Sequence, residues 1–183
     1  MYYKKILAAA LTVSCIGGIV PANSVQAASL KIRYSGKTRY YRGKQLHVSY
    51  ANKNLSSKYV GIQINKVNMI PYYDYLVKQG PKVKRTYSKS SGKLILKNGD
   101  DTLTAYVGKR TYYLNGVKKT FSVAPTKVKY YKTKKTIILI PANAIVKGLG
   151  LNYKYSSSSK RIYITQPVIP SDSTTQVSTQ PSG

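Results

Sequence analysis

The sequence predicts an α+β fold, dominated by strands, in which each of two repeats packs an antiparallel sheet around one short helix. Three observations carry that prediction. A segment recurs 70 residues further on, helical periodicity is confined to one short stretch of each copy, and period-two alternation with turn signals fills most of the rest.

The repeat is legible in three blocks. NMIPYYDYLVKQG, Asn68 to Gly80, returns as ILIPANAIVKGLG, Ile138 to Gly150; Pro71 falls on Pro141 and Gly80 on Gly150. YSKSSGKLIL, from Tyr87, returns as YSSSSKRIYI, from Tyr155, and GKTRYYRGK, from Gly36, corresponds to GKRTYYLNG, from Gly108.

Within the later copy, Ala142, Ile145, Val146 and Leu149 stand at i, i+3, i+4 and i+7, one face of a helix. Tyr72, Tyr75 and Leu76 form the matching face in the earlier copy. Pro71 and Pro141 suit a first helical turn, where a missing N–H does no harm, and Gly80 and Gly150 suit a left-handed exit. Asp74, early in its helix, favours the positive end of the dipole.

The strands follow from alternation. Leu103, Ala105 and Val107 interleave with Thr102, Thr104 and Tyr106. Asn115-Gly116, between TYYL and VKKTFSV, is a type I′ hairpin signal, because both central residues must take positive φ. Asn98 to Asp101 forms a second turn after the Lys93–Lys97 strand, and the Ser88–Ser91 and Ser156–Ser159 runs read as equivalent turns.

These residues resemble a known family. The block from Thr136 to Ile164 is similar to the N-terminal, stalk-type domain of copper amine oxidases: a strand ending near Pro, a helix ending in Leu-Gly, a strand, a turn and another strand. VNMIPYYDYLVKQG with YSKSSGKLIL looks like a more diverged copy, and Leu114 to Pro125 resembles the family's hairpin and following strand. The resemblance implies two tandem modules without the catalytic domain, each a sheet wrapped around a helix. Where the family tends to carry acids around the second helix and the next turn, this chain has Lys147, Tyr153, Lys154, Tyr155 and Ser156–Ser159. The expected organisation is 1–27 signal peptide, 28–100 first stalk-like repeat, 101–165 second, and 166–183 a disordered Ser/Thr/Pro/Gln tail.

The signal-peptide reading rests on Lys4-Lys5, an apolar run from Ile6 to Val20, and the small-residue exit Val25-Gln26-Ala27. The run is short for a membrane-spanning helix, so no transmembrane anchor is expected after cleavage. Nor is a sortase-type signal expected at the C-terminus. Cleavage removes the single cysteine, Cys15, and leaves a mature chain without thiol or disulfide. The expected location is extracellular or wall-associated.

Charge then points to a partner class. Thirty-one Lys and Arg face four Asp, with no Glu, for a net charge of +27. Such a field concentrates polyanions. The expected function is a secreted, non-catalytic cationic module that holds to anionic cell-wall polymers. The alternatives are an extracellular binder of DNA or sulfated glycan, and an accessory domain of a secreted enzyme. The contacts are expected at Lys82, Lys84, Arg85, Lys118, Lys119, Lys127, Lys129, Lys132, Lys134 and Lys135, where basic residues cluster, with Tyr130-Tyr131 among them.

Catalytic chemistry finds little support. His47 alone cannot build a copper centre, and it reads as an exposed strand residue. Asp100-Asp101 sits in a turn, the serine runs read as loop residues with a Ser–Lys dyad as the alternative, and no phosphate loop, dinucleotide fingerprint or zinc spacing occurs. No enzyme activity, metal or cofactor is expected.

Overall fold

A computed structural model describes residues 29–168. The expected signal peptide, 1–27, and all but the first three residues of the expected tail, 166–183, lie outside the described residues. Strands dominate: β1 Leu30–Tyr34, β2 Lys37–Tyr41, β3 His47–Tyr50, β4 Lys53–Leu55, β5 Ile62–Ile64, β6 Val67–Pro71, β7 Lys84–Tyr87, β8 Lys93–Asn98, β9 Asp101–Tyr106, β10 Thr111–Leu114, β11 Val117–Thr120, β12 Thr126–Tyr130, β13 Lys135–Pro141, β14 Asn152–Ser156 and β15 Arg161–Thr165. Two helices interrupt them, a π-helix over Tyr73–Gln79 and an α-helix over Ala142–Gly148.

The strands form three sheets, in the orders β2-β1-β12-β13-β6-β5, β11-β10-β9-β8-β7 and β14-β15-β3-β4. Each sheet combines strands from before and after residue 100. Pairing is antiparallel except between β15 and β3, which run parallel. Parallel neighbours need a long connection, and most of the chain separates these two.

Within the six-stranded sheet β6 lies against β13, with Ile70 opposite Ile140 and Pro71 opposite Leu139. Both strands are nearly continuous apolar runs because the sheet is covered on both faces here. Ile70 and Ile140 point into the larger core with Tyr75, Leu76, Ile145 and Val146 of the helices. Met69 and Leu139 point the other way, into a second cluster with Ile32, Ile62, Val128 and Tyr130. With no Trp and a single Phe, tyrosine supplies core volume: Tyr112 stacks on Phe121 at 4.0 Å, and buried Tyr130 donates to the Val60 carbonyl at 2.6 Å.

The helix ends differ from one another. After the α-helix, Gly150 takes φ +69°, Gly150 N–H bonds Lys147 O at 3.1 Å, and Leu151 N–H bonds Val146 O at 3.1 Å. That is a Schellman close, with Leu151 and Val146 both buried beside it. Gly80 departs from the expectation of a left-handed exit: its φ is −78°. The π-helix ends through an i+5 bond from Gly80 N–H to Tyr75 O, 3.1 Å, and a Cβ at Gly80 would stand 2.1 Å from that oxygen. Space, not φ, demands glycine there. The prolines also sit earlier than expected, as the last residues of β6 and β13, Pro141 at the N-cap and extended at ψ 104° and Pro71 one residue before the N-cap Tyr72.

The turns follow the sequence closely. Asn115 and Gly116 have φ of 48° and 82° between β10 and β11. The Asn98–Asp101 turn is tighter than expected, since those two residues pair and only Gly99-Asp100 lies outside the strands. In both serine runs the hydroxyls bond each other, Ser88 with Ser90 at 3.1 Å and Ser156 with Ser158 at 3.0 Å. Their oxygens are thereby engaged in turn structure.

Candidate polyanion-binding site

Alternation builds a basic floor on the six-stranded sheet. In β1, Ile32 is buried while Lys31 and Arg33 are exposed; in β12, Val128 and Tyr130 are buried while Lys127 and Lys129 are exposed. Since successive side chains point to opposite faces, committing Ile32, Val128 and Tyr130 to the core sends all four cations to the other face. The antiparallel register then places Arg33 directly opposite Lys129. The row continues to Thr38 on one side and Thr136 on the other. One level along, Lys31 is flanked by Tyr40 and Tyr131, 5.5 and 5.1 Å from their ring centroids.

Directly opposed like charges destabilise a sheet, and none of the described residues that line the space over this row is acidic. The field registers on Tyr131. Its phenol is held below the ordinary tyrosine value by the hydrogen bond with Thr38, 3.0 Å, and then by the charges of Lys129, Arg33 and Lys31.

The floor opens into a cleft of about 590 Å³. Arg33, Lys127, Lys129 and Thr136 line its base, and the β7–β8 turn, Lys89 to Gly92, lines it as well. Lys89 brings a further cation, and Ser90 and Ser91 bring hydroxyls.

The ten basic residues expected as contacts do not gather in one place. Lys127 and Lys129 lie on this floor. Lys132, Lys134 and Lys135 lie in and just after the turn that follows β12, all exposed. Lys84 and Arg85 lie on β7 and Lys118 and Lys119 on β11, the two opposite edges of the five-stranded sheet. Arg85 sits over the Tyr73 ring at 4.8 Å, and Lys82, just before β7, bonds the Lys78 carbonyl. Arg33, Lys31 and Lys89 were not singled out in the sequence. Lys31-Ile32-Arg33 does carry the same alternation as Lys127-Val128-Lys129, but the β1–β12 pairing that joins them leaves no local trace.

Other cations serve the scaffold. Arg110 Nε donates to Phe121 O at 2.8 Å, and Arg161 donates to Ser49 Oγ at 3.0 Å and to Asn54 Oδ1. Lys147 lies in the last turn of the α-helix, where a positive charge suits the dipole.

His47 is exposed on β3. Among the described residues no group of three or more His, Cys, Asp or Glu could hold a metal ion, so these residues do not fit a copper centre. No helix of the described residues is long and apolar enough to cross a membrane.

Comparison with known proteins gives a match to the copper amine oxidase N-terminal domain over residues 51–164. That domain is non-catalytic in those oxidases. No curated protein and no solved structure gives a match. The match begins at the turn between β3 and β4 and ends in β15, so it takes in both helices and β12, though not β1, and by it the chain belongs to the copper amine oxidase N-terminal domain family.

Proposed function

We propose that this chain is a secreted, non-catalytic cationic module that holds to anionic polymers of the cell envelope. The observation that carries the reading is the exposed row Lys31, Arg33, Lys127 and Lys129 on one sheet face. A fold does not need such a row: it places like charges side by side, and no acid is among the described residues lining the cleft above it. A polymer that brings many negative charges releases counter-ions as it binds, and that release drives the affinity.

We also read the scaffold as two stalk-like repeats, 28–100 and 101–165. The run β5, β6, helix, β7, β8 has the same element order as β12, β13, helix, β14, β15, and the serine turns of both runs bond alike.

The test is extraction. Cells carrying the native protein are washed in rising NaCl, and the protein is followed in the wash. Release well below about 1 M salt is expected, because exposed charges are screened within a few ångströms at that strength. Retention through that range overturns the reading. Displacement by heparin or duplex DNA at far lower concentration than by wall polymer would instead favour an extracellular nucleic-acid or sulfated-glycan binder.

A further inference from the structure

We propose that the cleft floored by β1 and β12 is a track for one extended phosphodiester chain, read by charge and not by stacking. This rests on the polyanion reading above and adds its site, its ligand class and what the site ignores.

The spacing is the first argument. Because β1 and β12 are antiparallel, the cations fall on three successive levels: Lys31, then Arg33 with Lys129, then Lys127. Levels two residues apart are about 6.5–7 Å apart along a strand, so the row offers a linear series of positive sites. At the middle level, the guanidinium fork of Arg33 and the ammonium of Lys129 can share one phosphate, an arrangement suited to arginine.

The shape is the second. Arg33, Lys129 and Lys127 line a shallow, open cleft that the Lys89–Gly92 turn lines too, and Lys31 continues the row outside it. A duplex is a stiff convex rod whose charges wind around its outside, whereas a single flexible chain can enter and lie along the row.

Third, the neighbouring rings are already covered. Lys31 sits over Tyr40 and Tyr131, Lys129 over Tyr131 at 5.4 Å, and Arg39 over Tyr34 at 4.8 Å. Ring faces holding cations are poor platforms for bases, so a chain of sugar or polyol phosphates without bases meets all that the site offers.

Fourth, the sheet itself does not require the charge. Lys127 stands opposite Ile138, two residues before Ile140. The matching position on the other hairpin is Gln63, opposite Asn68, two residues before Ile70. There the amides bond each other at 2.8 Å, and Asn68 donates to Tyr153 at 2.8 Å. A neutral, satisfied network occupies the place that is cationic in the cleft.

The test is a binding titration at several salt concentrations with the full chain. The probes are a synthetic poly(glycerol phosphate), an oligo-dT with the same number of phosphates, and duplex DNA. Three proteins are compared: native, Arg33→Gln/Lys129→Gln, and Lys53→Gln/Lys154→Gln, which removes equal charge from β4 and β14, the edges of the four-stranded sheet. The cleft variant is expected to lose about tenfold or more for poly(glycerol phosphate) and to lower the slope of log affinity against log salt by roughly 1–2, while the edge variant changes by less than about threefold. Poly(glycerol phosphate) is expected to bind at least as tightly as oligo-dT, and duplex DNA more weakly. Equal losses in both variants would overturn the cleft while leaving polyanion binding intact, and a clear preference for oligo-dT or for the duplex would overturn the ligand class. Failure of the native protein to bind any of the three would remove the polyanion reading itself. A Lys127→Gln variant, with its thermal unfolding recorded, guards against a cleft variant that fails to fold.

Discussion

Ile70 and Ile140 face each other as direct partners across β6 and β13, both fully buried in the larger core that also takes in residues of both helices. Replacing either by Ala is expected to cost about 2–5 kcal/mol, from lost transfer energy and the cavity left behind. Because the side chains are neighbours on one face, the two losses will not add. A double-mutant cycle in urea is expected to show coupling of roughly 0.5–3 kcal/mol. Simple additivity would mean that the two residues do not share one packing environment.

Glycine substitutions separate two different demands on the backbone. Gly80→Ala forces a Cβ to within 2.1 Å of the Tyr75 carbonyl oxygen. Backbone cannot give way cheaply, so the π-helix must lose its closing bond. Gly99 has φ +56° and open space around its Cβ position, so Gly99→Ala is expected to cost only about 1–2 kcal/mol of left-handed strain. Denaturant midpoints should therefore place Gly80→Ala well below Gly99→Ala. The reverse order would contradict the steric account.

The same glycines mark how far the sequence could be read. Gly150, Asn115 and Gly116 do what their types suggest, because Schellman closes and I′ hairpins are settled within a few residues. The apolar face of Ala142, Ile145 and Val146 is local in the same sense and is buried as its spacing predicts. Gly80 reads locally as the same left-handed exit and is not one, since its reason is an oxygen approached only once the segment winds as a π-helix. The candidate site was half legible for a similar reason. Lys127 and Lys129 stand out in a basic run, but Arg33 joins them through a pairing between strands far apart in the chain. The parallel β15–β3 contact is equally long-range.

Alkaline pH should weaken the fold through its buried phenols. Burial raises Tyr75 from 10.0 to about 12, with the charge of Asp74 adding to the effect, and burial also raises Tyr130, Tyr72 and Tyr153. A phenol whose folded value is raised contributes stability that is full below pH 10 and is lost as pH rises. For Tyr75 the window is 10 to about 12, at about 1.4 kcal/mol per pH unit. Whatever else changes with pH is common to native and variant, so the informative quantity is a difference. Tyr75→Phe gives up a long bond to the Tyr59 carbonyl, 3.5 Å, and a hydrogen bond with Ser57, both of which set a constant offset below pH 10. Relative to native, it is expected to hold level below pH 10 and to gain steadily from 10 to 12. A constant difference across that window would show that Tyr75 does not titrate out of a buried site.

The opposed pair Arg33 and Lys129 predicts a divergence between stability and binding. Like charges directly across a sheet cost roughly 0.2–1 kcal/mol, so Lys129→Gln should stabilise the free protein by that amount at low ionic strength. The gain should fade towards about 1 M salt, where the screening length falls to about 3 Å. The same change should weaken polyanion binding. A structural lysine would behave otherwise: its removal would cost stability at every salt concentration, as expected for Arg161, whose guanidinium is hydrogen-bonded to Ser49 and Asn54. Thermal unfolding of Lys129→Gln and Arg161→Gln at low and high salt distinguishes the two roles. If Lys129→Gln destabilised the protein and did so equally at both salts, the cross-strand repulsion assigned to Arg33 and Lys129 would be wrong.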